Sequence, residues 1–192
     1  MGDTGKTILS LCDFSGNWCR PYREAGYRII QIDVKPGDDI TVGDVRLLQK
    51  PGEQIHGILA APPCTVFASS GARWPRSDDD MREGLAVVDA CLRIVYACRP
   101  EWWALENPVG KLVRYLGKPT MYFHPFEFGD AYAKKTCLWG EFAEPEKTLV
   151  EPVQVCEQGS WIQQLGGKSE RTKMLRSMTP MGFAKAFFEA NK

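Results

Sequence analysis

The first third of the chain alternates short apolar runs with turns. Residues 7–12 (TILSLC) and 28–33 (RIIQID) read as strands, with a short helical linker over 21–25 between them. Residues 57–61 (GILAA) form a third apolar run, stopped by Pro62 and Pro63. Runs that are apolar nearly throughout suit parallel strands covered on both faces. Residues 62–80 hold Pro, Ser, Gly and an acidic triplet and read as a loop. The clearest helix is 81–99, where Leu85, Val88, Leu92 and Val95 recur at helical spacing, Asp78–Asp80 supply caps with favourable charge, and Pro100 ends it. Residues 102–106 (WWALE) then read as a buried strand with Asn107 and Pro108 as a turn. Residues 121–126 and 135–139 read as strands and 180–191 as a closing helix. Strand–helix–strand alternation implies an α/β sheet with crossover helices.

At 192 residues the chain suits one domain, 1–192, with a stretch of weak periodicity at about 141–170 as a small variable insert. With 24 basic and 24 acidic residues the net charge is zero, which disfavours non-specific coating of nucleic acid and leaves local patches to be found. Residues 141–157 carry net −4 and residues 168–176 net +3. The seven cysteines form no C-x-x-C pair, and neither a signal-peptide pattern nor a run of ~18 apolar residues is present. The expectation is a reduced, cytoplasmic protein with no membrane span and no metal.

Three features carry no chemistry. Gly5-Lys6-Thr7 precedes the first strand, whereas a phosphate loop follows one. Cys91 and Cys98 share a helix face as small core hydrophobes. His56 and His124 lack neighbouring ligands.

The informative pattern is what stands at successive strand ends, where ligands bind in open α/β sheets. The first strand ends in Asp13-Phe14-Ser15-Gly16-Asn17-Trp18, the second in Asp33-Val34, and Asp44-Val45 follow ten residues later. A glycine-bearing first loop and two such acids suit an adenosine-containing cofactor. Gly16 admits close backbone approach, Asp33 accepts from ribose hydroxyls, and Asp44 accepts from an adenine amino group. The third apolar run ends in Pro62-Pro63-Cys64-Thr65-Val66-Phe67, which presents a thiol on a proline-fixed loop. Glu106 closes an otherwise apolar strand, where a carboxylate costs free energy unless it is paired or used.

In this order, DFSG, ID, GDV, PPCTVF with a following SG, and ENP, the chain resembles the DNA cytosine-5 methyltransferases. It is most similar to the short, phage-type members, which share ENPVGKL, KKTCLWG and the ending RSMTPMGFAKAFFEAN. The resemblance implies a Rossmann-like, S-adenosylmethionine-dependent methyltransferase fold, a mostly parallel sheet with helices on both faces. It implies a flipped cytosine of DNA as substrate, Cys64 as nucleophile toward C6, Glu106 at N3, and Asn107 holding the Cys64 loop. Asp13, Phe14, Ser15, Gly16, Asn17, Trp18, Asp33, Val34, Asp44, Val45 and Pro63 would bind the cofactor. Where the family carries a Q-x-R-x-R strand this chain has Ala131, Ala133 and Lys135, so Lys135 is the expected donor there. Lys111, Arg114, Lys118, Lys134 and residues 171–176 would follow phosphates. About 30 residues replace the family's recognition domain, so specificity is low, the insert folds on DNA, or a second chain supplies recognition. A tRNA cytosine-5 methyltransferase and a non-catalytic, cofactor-binding accessory protein are the alternatives.

Overall fold

The computed structural model describes residues 3–71, 74–157, 159–165 and 169–192. One seven-stranded sheet organises it, in the order β3-β2-β1-β4-β5-β7-β6. β1 (Thr7–Leu11), β2 (Arg28–Asp33), β3 (Ile40–Val42), β4 (Gly57–Ala60) and β5 (Trp102–Pro108) run parallel. β7 (Thr136–Glu141) is antiparallel to both β5 and β6 (Met121–Phe123).

Pleat alternation sorts the strand residues between two layers. Leu9, Leu11, Ile58, Leu105, Cys137 and Trp139 face α2 (Asp78–Cys98), which buries Val88, Cys91, Ile94 and Val95 against them. Ile8, Leu59, Ala104 and Leu138 face the other way, toward α1 (Arg20–Glu24) and α6 (Met181–Ala190). There Trp18 and Phe187 pack edge to face at 5.6 Å and Phe123 stacks on Phe183 at 3.9 Å. A mostly parallel sheet sandwiched between helices is therefore what the alternation of apolar runs demanded, since both faces of each central strand are apolar.

Several boundaries differ from the sequence reading, each for a local reason. α2 begins at Asp78 because Ser77 is its cap: Ser77 Oγ accepts from Asp80 N at 3.1 Å, and Asp80 Oδ2 accepts from Ser77 N at 2.9 Å. The aspartates serve as first-turn charges, and only Asp80 closes the capping box. β5 runs on through Asn107 and Pro108, which pair with Cys137 and Thr136 instead of turning. β6 stops at Phe123 because Pro125 opens a single 3-10 turn. β3 has no counterpart in the sequence reading: it is three residues long, on the sheet edge, with Thr41 and Val42 exposed.

Residues 148–153 lie along 126–131 through three backbone bonds of 2.9 Å: Thr148 N to Glu127 O, Val150 N to Phe126 O, and Val153 N to Ala131 O. α3 (Val113–Leu116) follows β5. α4 (Trp161–Gln164) and α5 (Glu170–Ser177) fall in or beside the stretch that showed no periodicity. The strand order reverses between β1 and β4, so the loops leaving these two strands open over one crevice.

Candidate active site

The loop after β4 carries Cys64, half-buried, and is pinned from β5. Asn107 Nδ2, fully buried, donates to the Pro62 carbonyl at 2.9 Å. Cys64 O accepts from Phe67 N at 3.0 Å and Ala68 N at 2.9 Å, which curls the loop into a turn. Its far side docks on the segment after Asn107: Lys111 N donates to Phe67 O at 2.7 Å, and Ser69 N to Val109 O at 3.0 Å. Gly110 permits this contact, because a Cβ there would stand 1.9 Å from Phe67 O.

Glu106 is buried at the same end of the sheet. Burial pushes its carboxyl pKa up, the Lys134 ammonium opposes that, and the Asp13 carboxylate adds to it. Burial also raises the Cys64 thiol, with the Glu106 charge adding to it, while Lys134 and Arg176 pull it down. At the carboxyl ends of β4 and β5 the Cys64 thiol thus feels the Glu106 carboxyl and the charges of Lys134 and Arg176, and Glu106 feels Lys134. This is a set suited to nucleophilic addition with proton control at a second atom.

The cation is Lys134, where Lys135 was expected. Glu106 pairs with Leu138, so alternation puts 136 and 138 on the Glu106 face and 137 and 139 on the other, with Lys134 and Lys135 just before the strand. Lys135 is exposed and its Nζ sits 5.2 Å from the Tyr122 ring centroid. Lys134, expected along a phosphate path, instead donates to Arg176 O at 2.9 Å and acts on Cys64 and Glu106.

The loop after β1 is built on a buried carboxylate. Asp13 accepts from Ser10 Oγ at 3.1 Å, Ser15 Oγ at 3.0 Å and Gly16 N at 2.9 Å; burial nevertheless raises its pKa. Gln31 Nε2 donates to Asp13 O at 2.6 Å. Gly16 has φ +65°, and a Cβ there would press on the Gln31 amide at 3.2 Å, so glycine is needed both for the turn and for the buried packing on Gln31. A groove of about 330 Å³ opens beside this loop, lined by Phe14, Lys35, Pro36, Glu170, Arg171 and Met174. Asp33 Oδ1 accepts from Lys35 N at 2.9 Å and turns the chain at the end of β2, leaving Val34 exposed.

Not every expected cofactor residue faces the groove. The Trp18 side chain is fully buried among Phe183 and Phe187, and Val45 is buried in the α2 layer, so both side chains serve the core. Asn17 is buried and donates to Thr179 O at 3.2 Å. Asp13 shapes the loop from within. Asp44 is chelated by the Arg46 guanidinium, with contacts of 2.7–3.0 Å that hold its carboxyl below the usual range. Phe14 lines the groove, Ser15 and Asp33 are half-buried, Gly16 is buried, and Val34 and Pro63 are exposed.

Residues that the sequence reading passed over are Gln31 and Gly110, while Arg176, expected along a phosphate path within residues 171–176, instead donates to Ser70 Oγ at 2.9 Å. Arg176 lay within a charged run, where the spacing says nothing of which charge turns inward. A larger hollow, about 430 Å³, lies at the opposite ends of β4 and β5, beside His56, Glu101 and Trp102. Among the described residues no group of three or more His, Cys, Asp or Glu is placed to hold a metal ion, and no helix is long and apolar enough to cross a membrane.

A strand order of 3-2-1-4-5-7-6 with an antiparallel seventh strand, helices on both faces and paired loops over the reversal point is a Rossmann-like methyltransferase fold. The chain is similar to a solved E. coli structure provisionally described as a DNA modification methyltransferase encoded within a prophage. The TM-score is 0.56 at 15% identity, and the match covers 86% of this chain and 56% of that one. The chain therefore spans little more than half the length of that neighbour. No family model and no curated protein matches the sequence.

Proposed function

We propose that the protein methylates cytosine in DNA at C5, using S-adenosylmethionine and a covalent bond between Cys64 and C6. The observation that carries this reading is the meeting of Cys64 and Glu106 under the charge of Lys134, on a loop that Asn107 holds to β5.

Each residue then has a task. Cys64, as thiolate, adds to C6 of a base turned out of the duplex, which costs a few kcal/mol of unstacking. Addition sends electron density to N3, and Glu106, kept protonated more readily by its burial, holds a proton there. Lys134 offsets the negative charge of the thiolate without the forked geometry an arginine would offer. C5, now electron-rich, takes the methyl group; loss of the C5 proton and of the Cys64 thiolate restores the ring. When bound, the cofactor supplies an electrophilic sulfonium methyl. Phe14, Ser15 and Gly16 would bracket it on one side and Asp33 and Val34 on the other. Within the chain, residues 141–170 occupy the place of a recognition domain, and so small a segment points to weak, salt-dependent DNA binding or to a second chain that completes recognition.

A duplex carrying 5-fluorocytosine tests the reaction, because fluorine cannot leave as a proton after methyl transfer. The protein should be trapped covalently, only with the methyl donor, and Cys64→Ser should abolish trapping. An adduct on another cysteine, or full methylation by Cys64→Ala, would refute the mechanism.

A further inference from the structure

α5 contributes to the crevice from outside the strand-end loops. At its amino end Glu170 Oε2 pairs with Lys35 Nζ at 3.0 Å, beside the groove next to Phe14. Near its carboxyl end the half-buried Arg176 makes three contacts to different parts of the chain. Nη2 donates to Ser70 Oγ at 2.9 Å; Nη1 donates to Leu165 O at 3.0 Å; and the Arg176 carbonyl accepts from Lys134 Nζ at 2.9 Å. Ser70 ends the loop that begins at Cys64, and its neighbour Ser69 is bonded to Val109 on the other side. The Cys64 loop is thus held at its start by Asn107, in its middle by the segment after β5, and at its end by Arg176.

We propose that Arg176 is a positioning residue for Cys64, locking the end of the Cys64 loop through Ser70 while its carbonyl fixes the Lys134 ammonium over the same crevice. The proposal rests on the reading of Cys64 as nucleophile for its importance, though not for its test. The charged groups acting on Cys64 are Glu106 from β5, Lys134 from the segment before β7, and Arg176 from α5. Removing the guanidinium leaves Lys134 as the single cation opposing the carboxylate, and it frees the loop end. A helix remote in sequence from Cys64 then governs how much of the thiol is ionised and where it stands.

The test is the pH dependence of Cys64 alkylation by iodoacetamide, resolved by peptide mass spectrometry on the full chain. Arg176→Ala should move the midpoint to higher pH, lowering the thiolate fraction at pH 7.5 roughly 3–10-fold, since a unit of pKa is a tenfold change in thiolate. Arg176→Lys should recover most of the midpoint shift, because the charge returns. Ser70→Ala should keep the midpoint and increase hydrogen exchange across residues 65–71, because only the anchor is lost. An unchanged midpoint in folded Arg176→Ala overturns the proposal. If that variant does not fold, unchanged exchange in Ser70→Ala overturns it. A midpoint shift seen in a protein that never traps 5-fluorocytosine DNA would sustain Arg176 and refute the proposed reaction.

Discussion

Gly110→Ala should be among the most damaging small substitutions in this chain, although it adds a single methyl group. The new Cβ would stand 1.9 Å from Phe67 O, 2.8 Å from Phe67 C and 2.9 Å from Ser69 N. Ordinary contact distances require the two segments to part by an ångström or more. Every one of these atoms is backbone, so no side chain can swing aside. Separation breaks the bonds Lys111 N to Phe67 O (2.7 Å), Ser69 N to Val109 O (3.0 Å) and Ser69 Oγ to Val109 O (2.8 Å). At roughly 0.5–1.5 kcal/mol each, the loss is about 2–4 kcal/mol. For a chain of this size that lowers Tm by roughly 5–15 °C. Thermal and urea unfolding measure it, with Gly52→Ala as control: a Cβ at Gly52 meets nothing within 4 Å, so its Tm should barely change. Cys64 alkylation in folded Gly110→Ala should quicken as the loop opens. A Tm within about a degree of wild type, with unaltered Cys64 reactivity, would refute the claim that Gly110 sets the position of the loop.

Glu106→Gln should abolish methylation yet stabilise the protein near pH 7. Burial raises the Glu106 pKa above that of the unfolded chain, so wild type loses stability as pH rises from about 4.5 through the folded pKa; the gap between the two melting curves should close toward pH 4.5, and a gap independent of pH would contradict this. Lys134→Met should cut methylation about tenfold and move the Cys64 alkylation midpoint upward, while Lys135→Met should move it far less; equal effects would refute the assignment of Lys134 as the cation acting on Cys64. S-adenosylhomocysteine at a hundredfold excess over its Kd should stabilise the native chain by about 2.7 kcal/mol, and Asp33→Ala should lose most of the resulting Tm shift; a full shift in the variant would remove Asp33 from the cofactor cleft. DNA binding by the isolated chain should weaken steeply with salt, and tight, sequence-specific binding at physiological salt would show that residues 141–170 suffice for recognition.

The elements that position the candidate site were legible where the signal is local. Apolar runs of four to seven residues, broken by proline, glycine and aspartate, marked β1, β2, β4 and β5, and the helical recurrence of Leu85, Val88, Leu92 and Val95 marked α2. Asp13, Asp33, Cys64 and Glu106 stood out as candidates because each stands at the end of such a run. β3 escaped because three residues on an exposed edge carry no periodicity and are held by pairing with β2 alone. α5 escaped for a related reason: it has no buried residue and therefore no apolar stripe, being secured by its Ser169 cap, Lys35 and Ser70.

Sequence alone determined that the chain would form a covered, mostly parallel sheet with its polar and reactive residues gathered at strand ends, because turn chemistry and hydrophobic period act within a few residues of the chain. Tertiary structure decided which of two adjacent lysines acts on Cys64 and Glu106, since Lys134 reaches over to Arg176 O while Lys135 turns to the Tyr122 ring. It also turned Trp18 and Val45 into the core and brought Arg176 to Ser70, 106 positions away. Register and long-range docking depend on which surfaces meet, and a one-residue slip reverses every side chain on a strand.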